Sequence, residues 1–262
     1  MHRIKLFVLD MDGTVYLGNH LLPGALDFFK AVTEAGARYL FLTNNSSRTA
    51  DQYVDKLRRL GVPVEDDGVL TSGDATAELL KKEGRYSRLY VAATPSVEKV
   101  FTDAGFELTA ADPEAVVLTY DTTLTYEKLQ TVCLLLRKGL PYIATHPDFN
   151  CPDPRGPLPD IGAFMACIEA STQRQPDLIV GKPNPGILQG AMLRGGATPQ
   201  QTMMIGDRLY TDIACAKNAG ATGTLVLTGE TTREMVPGAD QQPDIVVDSL
   251  QDLCQAVYEK IY

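Results

Sequence analysis

The chain has 262 residues, 44% hydrophobic and 22% charged, the balance of a folded globular protein with room for one large domain or for a core plus a smaller one. Its formal charge of −9 at pH 7 argues against nucleic acid as a main partner, because a phosphate backbone needs a basic surface, yet it permits a phosphate ligand in a locally positive pocket. No apolar run reaches the roughly 18 residues of a membrane span. The opening MHRIKLFVLD reads as a strand rather than a secretory signal, and five scattered cysteines without a CxxC pair read as reduced thiols of a cytoplasmic protein.

In chain order, short apolar β-branched runs predict strands at 4–9, 39–42, 69–71, 89–92, 115–119, 142–144, 178–180, 202–205, 224–227 and 245–247. Between most of them lie segments with apolar residues three or four apart, such as Tyr53, Leu57, Leu60 and Ile213, Ala216, Ala219, the spacing of an amphipathic helix. Gly36, Gly61 and Gly220 stand where those helices should stop, each able to take the left-handed C-cap conformation. Strand–helix alternation over this length predicts an α/β protein with parallel sheet. Ten strands are many for one sheet, so two sheets are expected. The segment 145–160, THPDFNCPDPRGPLPD, breaks the pattern. Proline lacks an amide donor and fixes φ, so this stretch is neither helix nor central strand. Its stiffness favours a structured binding loop, with a rigid surface connector as the alternative.

Chemistry gathers where strands end. The first runs into Asp10-Met11-Asp12-Gly13-Thr14, two carboxylates spaced by one residue. At the C-terminal edge of a parallel sheet such acids face the ligand crevice, and they repel unless a cation or proton neutralises them. An ordinary Asp-Gly turn is the alternative. A second strand ends in Thr43-Asn44-Asn45-Ser46-Ser47, small polar groups suited to an anion or to plain helix capping. A third leads into Gly181-Lys182-Pro183-Asn184-Pro185, with proline in the first turn of the next helix. A fourth leads into Gly206-Asp207-Arg208-Leu209-Tyr210-Thr211-Asp212. Asp207 is expected at the strand tip and Asp212 about one turn into the following helix. Carboxylates with water and phosphate oxygens make a hard-oxygen site suited to Mg²⁺, and a hydroxyl with an ammonium suits phosphate. The set fits metal-assisted phosphoryl transfer.

These segments resemble, in order and spacing, the four motifs of the haloacid dehalogenase (HAD) superfamily: DMDGT at Asp10, TNNSS at Thr43, GKPNP at Lys182 and GDRLYTD at Asp207 and Asp212. DMDGTVYLGN, TNNSSR and GDRLYTDI are similar to the NagD-like, p-nitrophenylphosphatase-type branch. Nearly 140 residues separate Thr43 from Lys182, far more than one strand–helix unit needs. The resemblance therefore implies a Rossmann-like parallel-sheet core, 1–79 and 177–262, with an inserted α/β cap of the C2 type at 80–176. It implies Mg²⁺-dependent hydrolysis of small phosphomonoesters: sugar phosphates, nucleoside monophosphates or p-nitrophenyl phosphate-like compounds. Asp10 is then the nucleophile that becomes an aspartyl-phosphate, and Asp12 the general acid and base. Thr43, Asn44 and Lys182 hold the phosphoryl oxygens. Mg²⁺ is bound through Asp10, the Asp12 carbonyl and Asp207, while Asp212 orients metal-bound water or Lys182. A homodimer is compatible with the resemblance.

Within the cap, Asp148, Asn150, Arg155, Asp160 and Gly162 are candidate contacts for the leaving group; the acid-x-Gly step Asp160-Ile161-Gly162 resembles one in NagD-like caps. Tyr120 and Asp121 are further candidates, and His146 next to Pro147 is either a ligand contact or, as the expected case for a lone histidine, a satisfied structural residue. Arg48 and Arg208 either add positive potential or are solvated helix positions. A phosphotransferase or mutase with the same intermediate, and a phospho-ligand sensor, are the competing functions. The sensor predicts the loss of a catalytic residue, and all are present.

Overall fold

The computed structural model describes residues 4–153 and 155–254. Residues 4–43, 51–70 and 182–254 form one compact unit, and residues 44–50, 71–153 and 155–181 form a second. The chain is α/β, with two large sheets built on parallel pairings and, among the described residues, two antiparallel two-stranded ribbons.

In the first unit a six-stranded sheet runs in the order Ile245–Val247, Thr222–Val226, Thr202–Gly206, Leu6–Leu9, Arg38–Thr43, Val69–Thr71. The four pairings from Ile245–Val247 to Arg38–Thr43 are parallel. Strands buried on both faces read as continuous apolar runs rather than as alternation. Leu6, Phe7, Val8 and Leu9 are all buried, as are all five residues of Thr202–Gly206. Helix Ala25–Glu34 buries Phe28, Phe29 and Val32, the three-to-four spacing that puts one stripe on a sheet. Phe28 and Phe29 meet Phe7, Tyr39 and Phe41 through ring contacts of 4.7–5.6 Å.

Strand order decides where a ligand can enter. From Leu6–Leu9 the chain steps to Arg38–Thr43 and Val69–Thr71 on one side, then returns to Thr202–Gly206 on the other. That reversal is a topological switch point, where the loops leaving neighbouring strands diverge and open a crevice at their carboxyl ends. Register fixes the neighbours: Leu9 pairs with Ile205 and with Phe41, and the Asp10 N–H continues the ladder to the Ile205 carbonyl at 2.8 Å. The residues just after three adjacent strands thus lie along one edge.

The second unit carries a five-stranded sheet in the order Leu178–Ile179, Tyr142–Ala144, Ala115–Leu118, Arg88–Ala92, Glu107–Leu108, every pairing parallel. Helices Ser72–Glu83, Pro95–Asp103, Tyr126–Arg137 and Ile161–Thr172 belong to it. Its core gathers Val116, Leu118, Val132, Leu136, Tyr142 and Ile168. Glu107–Leu108 is a strand that its two residues are too short to announce. Among the described residues of the proline-rich stretch, Asn150–Cys151 and Leu158–Pro159 pair, antiparallel. Gly36, Gly61 and Gly220 have φ of 67°, 86° and 71°, as helix stops require. No disulfide joins any of the five cysteines, and no helix among the described residues is long and apolar enough to cross a membrane.

Candidate active site

Asp10 leaves Leu6–Leu9, Lys182 opens the last segment of the first unit, and Asp207 follows Thr202–Gly206. The fold brings all three together with Asp212. The Lys182 ammonium donates to Asp10 Oδ1 at 2.5 Å and to Asp212 Oδ1 at 2.6 Å, with its side chain only 3% exposed. It also reaches the Leu42 carbonyl at 3.5 Å. Asp10, Asp207 and Asp212 offer carboxylate oxygens within 4.8 Å of one another. Asp12 sits two residues on, where its carboxylate accepts from the buried Tyr16 hydroxyl at 3.3 Å. Thr43 is buried at the end of Arg38–Thr43.

Asp212 reaches the cluster by an unexpected route. Leu209–Ile213 is a wide, π-type turn that precedes helix Ala214–Asn218, rather than the first turn of a regular helix. The N–H groups of Asp212 and Ile213 share the Arg208 carbonyl. The extra residue brings the Asp212 side chain back over Gly206, where a Cβ would lie 2.2 Å from its carboxyl carbon. Such turns recur at functional sites. The Arg208 N–H completes the arrangement by donating to Asp212 Oδ2 at 3.1 Å.

Burial dominates the electrostatics. It pushes the Asp10 carboxyl up to about 8, with Asp212 and Asp207 adding to the effect and Lys182 opposing it. It pushes Asp207 up to about 6, with Asp212 again adding. Burial alone would lower Lys182, but Asp10 and Asp212 hold its ammonium well above the usual lysine range. One ammonium thus stands among three crowded carboxylates, and the remaining negative charge is neutralised by protons or by a second cation.

In the second unit Asn44 donates from Nδ2 to both oxygens of Asp148, at 3.1 and 3.3 Å. Ser72 Oγ donates to the Asn44 carbonyl and lies 3.3 Å from His146 Nδ1. His146 is fully buried, and its Nε2 meets Asp160 Oδ1 at 3.0 Å. Asp160 also caps helix Ile161–Thr172 by accepting from the Ile161 N–H. The Gly162 N–H donates to the Asp148 carbonyl, and a Cβ there would lie 2.7 Å from the Pro147 carbonyl. Asn44, Asp148, Asp160 and Gly162 thus form one bonded group with His146. Asn150 and Arg155 stand outside it, both exposed, with Arg155 held by Asp153 at 2.7 Å. Asp121 is buried in an ion pair with Lys128 at 2.7 Å.

Sequence reasoning missed two features. Tyr16 is a donor to Asp12, and only the fold of the loop reveals it. The turn after Thr222–Val226, Leu227-Thr228-Gly229-Glu230, is one more strand end at the same sheet edge. The rule that found the others, small polar residues after an apolar strand, could have marked it.

A haloacid dehalogenase-like hydrolase family model matches residues 7–107, and an HAD-hydrolase-like model matches residues 179–253. The 5'-nucleotidase YutF of Bacillus subtilis is 34% identical over 252 residues, spanning 96% of this chain and 98% of its own. The chain belongs to the haloacid dehalogenase-like hydrolases. Among solved structures of the family, 4-nitrophenylphosphatase from Thermotoga maritima superposes with a TM-score of 0.94 at 51% identity, covering 97% of each chain. NagD from Escherichia coli K-12 superposes with a TM-score of 0.89 at 29% identity, covering 96% of this chain and 98% of that one. Within the family this chain is NagD-like, and family membership implies a divalent metal. The residues fit one. The carboxylates are hard oxygen donors, and Asp207 Oδ1 is buried without a hydrogen-bond partner, an expensive state for a carboxylate oxygen that no cation faces.

Proposed function

We propose that this HAD-like hydrolase removes phosphate from small phosphomonoesters by way of an aspartyl-phosphate on Asp10, with Mg²⁺ held by Asp10, Asp207 and the Asp12 carbonyl. One observation carries the reading: Lys182 bonded to both Asp10 and Asp212 beside the third carboxylate, Asp207. The Asp10 oxygen attacks phosphorus in line, forming the acyl phosphate as the bond to the leaving-group oxygen breaks. Asp12 gives that oxygen its proton, then takes one from the water that cleaves the acyl phosphate and releases inorganic phosphate. Tyr16 orients Asp12 for both transfers. Lys182 and Thr43, with the backbone amides near Met11 and Asp12, stabilise charge on the transferring phosphoryl oxygens, and Asp212 fixes Lys182. The bound cation shields the repulsion between anionic nucleophile and anionic substrate.

The second unit serves as the C2-type cap and sets substrate choice. Asp148 and Asp160 are already committed to Asn44 and His146, so the exposed Asn150 and Arg155 are its leading specificity residues. Candidate substrates are nucleoside monophosphates, sugar phosphates and aryl phosphates. The protein is read as cytoplasmic, its thiols reduced, and as a monomer or homodimer. A phosphate-release screen over these substrates, without added acceptor, tests the reading. Release with Mg²⁺ and its loss with chelator are expected; equal rates in chelator would remove the metal, and no release without an alcohol acceptor would turn the enzyme into a transferase.

A further inference from the structure

The carboxylate of Asp207 is held from one side. Its Oδ2 accepts from the Glu230 N–H at 2.7 Å, and the Thr231 N–H returns to the Asp207 carbonyl at 3.2 Å. Oδ1 is the buried oxygen without a partner. Two glycines press against the same group. A Cβ on Gly229 would lie 2.0 Å from Oδ2, and one on Gly13 would lie 2.7 Å from it. Gly229 does not have a left-handed φ, so the turn needs glycine there for close approach rather than for backbone freedom.

The turn is anchored on both flanks. Thr228 Oγ1 donates to the Gly13 carbonyl at 2.6 Å, tying it to the loop that carries Asp10 and Asp12. The Glu230 carboxylate pairs with Arg208 Nε at 2.9 Å and accepts from the Tyr210 hydroxyl at 2.9 Å, tying it to the segment that follows Asp207. A free carboxylate rotates about its last torsion in a broad, twofold well. A backbone donor on one oxygen removes that freedom and leaves the other oxygen in a defined direction.

We propose that the 228–230 turn is a positioning element for Asp207, locking Oδ2 so that Oδ1 is presented to the divalent cation. The inference rests on the metal reading above. Partners that orient a metal ligand are commonly worth about 10–100-fold in metal affinity, and this one acts through a backbone N–H and two close glycine contacts.

The test is calorimetric titration of Mg²⁺ into metal-free wild type, Gly229→Ala and Thr228→Val, with melting temperature recorded before metal is added. Wild type is expected to bind. Gly229→Ala, whose methyl must displace the Asp207 carboxylate, is expected to bind about 10–100-fold more weakly. Thr228→Val, which removes only the tie to Gly13, is expected to weaken binding by a smaller factor. In both, kcat should return towards wild type as Mg²⁺ is raised, a rescue that a merely misfolded protein would not give. If Gly229→Ala does not fold, Thr228→Val decides. Wild-type Mg²⁺ affinity in Thr228→Val and in any folded Gly229→Ala overturns the proposal. Absence of Mg²⁺ binding by wild type overturns the metal reading itself.

Discussion

Lys182 is buried between two carboxylates, and that contact gives the aspartates different settings, on which the proposed division of their duties rests. Asp10 is ion-paired and points an oxygen at an ammonium, as a nucleophile attacking an anion requires. Asp12 meets the Tyr16 hydroxyl instead, a setting for passing protons. Asp10→Asn keeps the side chain's shape and loses the proposed nucleophile, so phosphate release should vanish while the melting transition stays cooperative. Wild-type turnover in that variant would remove the assignment. Asp12→Ala should slow turnover by about 10²–10⁴-fold, the scale of general acid–base catalysis, read from steady-state phosphate release. Asp10, Asp12, Lys182, Asp207 and Asp212 were legible in the sequence because each follows an apolar run that must be a strand. The Glu230 N–H was not, because every residue but proline carries the same donor and nothing in the side chain marks which one a buried carboxylate will use.

At the scale of elements, apolar runs and glycine stops located most strands and helices, because burial and φ are local requirements. The wide turn Leu209–Ile213 escaped, since its cause is Asp212 packing on Gly206 rather than any periodicity in its own residues. The seam after Val69–Thr71 shows how a single residue can start an element. Thr71 caps helix Ser72–Glu83 by accepting from the Asp74 N–H, and Asp74 returns a bond to the Thr71 N–H. Thr71→Ala should cost about 1 kcal/mol of stability, the usual worth of such a cap, measured by denaturant unfolding; an unchanged midpoint would show the box to be idle. His146 met its structural expectation through Asp160 and Ser72. The pairing of Asn44 with Asp148, 104 residues away, has no local signal at all.

For the whole molecule, clustering carboxylates in a buried site makes stability depend on both pH and metal. Asp10 and Asp207 have folded-state pKa values raised from 3.8 to about 8 and about 6. A raised carboxyl favours the protonated folded state. Its contribution is therefore fully present below about 3.8 and is lost as pH rises through 6 for Asp207 and through 8 for Asp10. Without metal, this part of the stability should decline between about pH 5 and pH 8.5. Mg²⁺ bound as proposed would compete with protons for the same oxygens, so it should raise the melting temperature more at about pH 8.5 than at about pH 5.5. Equal shifts at both pH values in a thermal scan would contradict a cation at this cluster.

The sequence by itself determined the α/β class, the strand-end acids and lysine, and the family those motifs mark, since hydrophobic period and chain punctuation act over a few residues. The tertiary structure alone decided that Leu6–Leu9 lies between Thr202–Gly206 and Arg38–Thr43, that Lys182 bridges Asp10 and Asp212, and that one oxygen of Asp207 is held by a backbone amide while the other is not. Those facts depend on which distant segments share a sheet edge, and that is settled by packing across the whole core rather than by any stretch of chain.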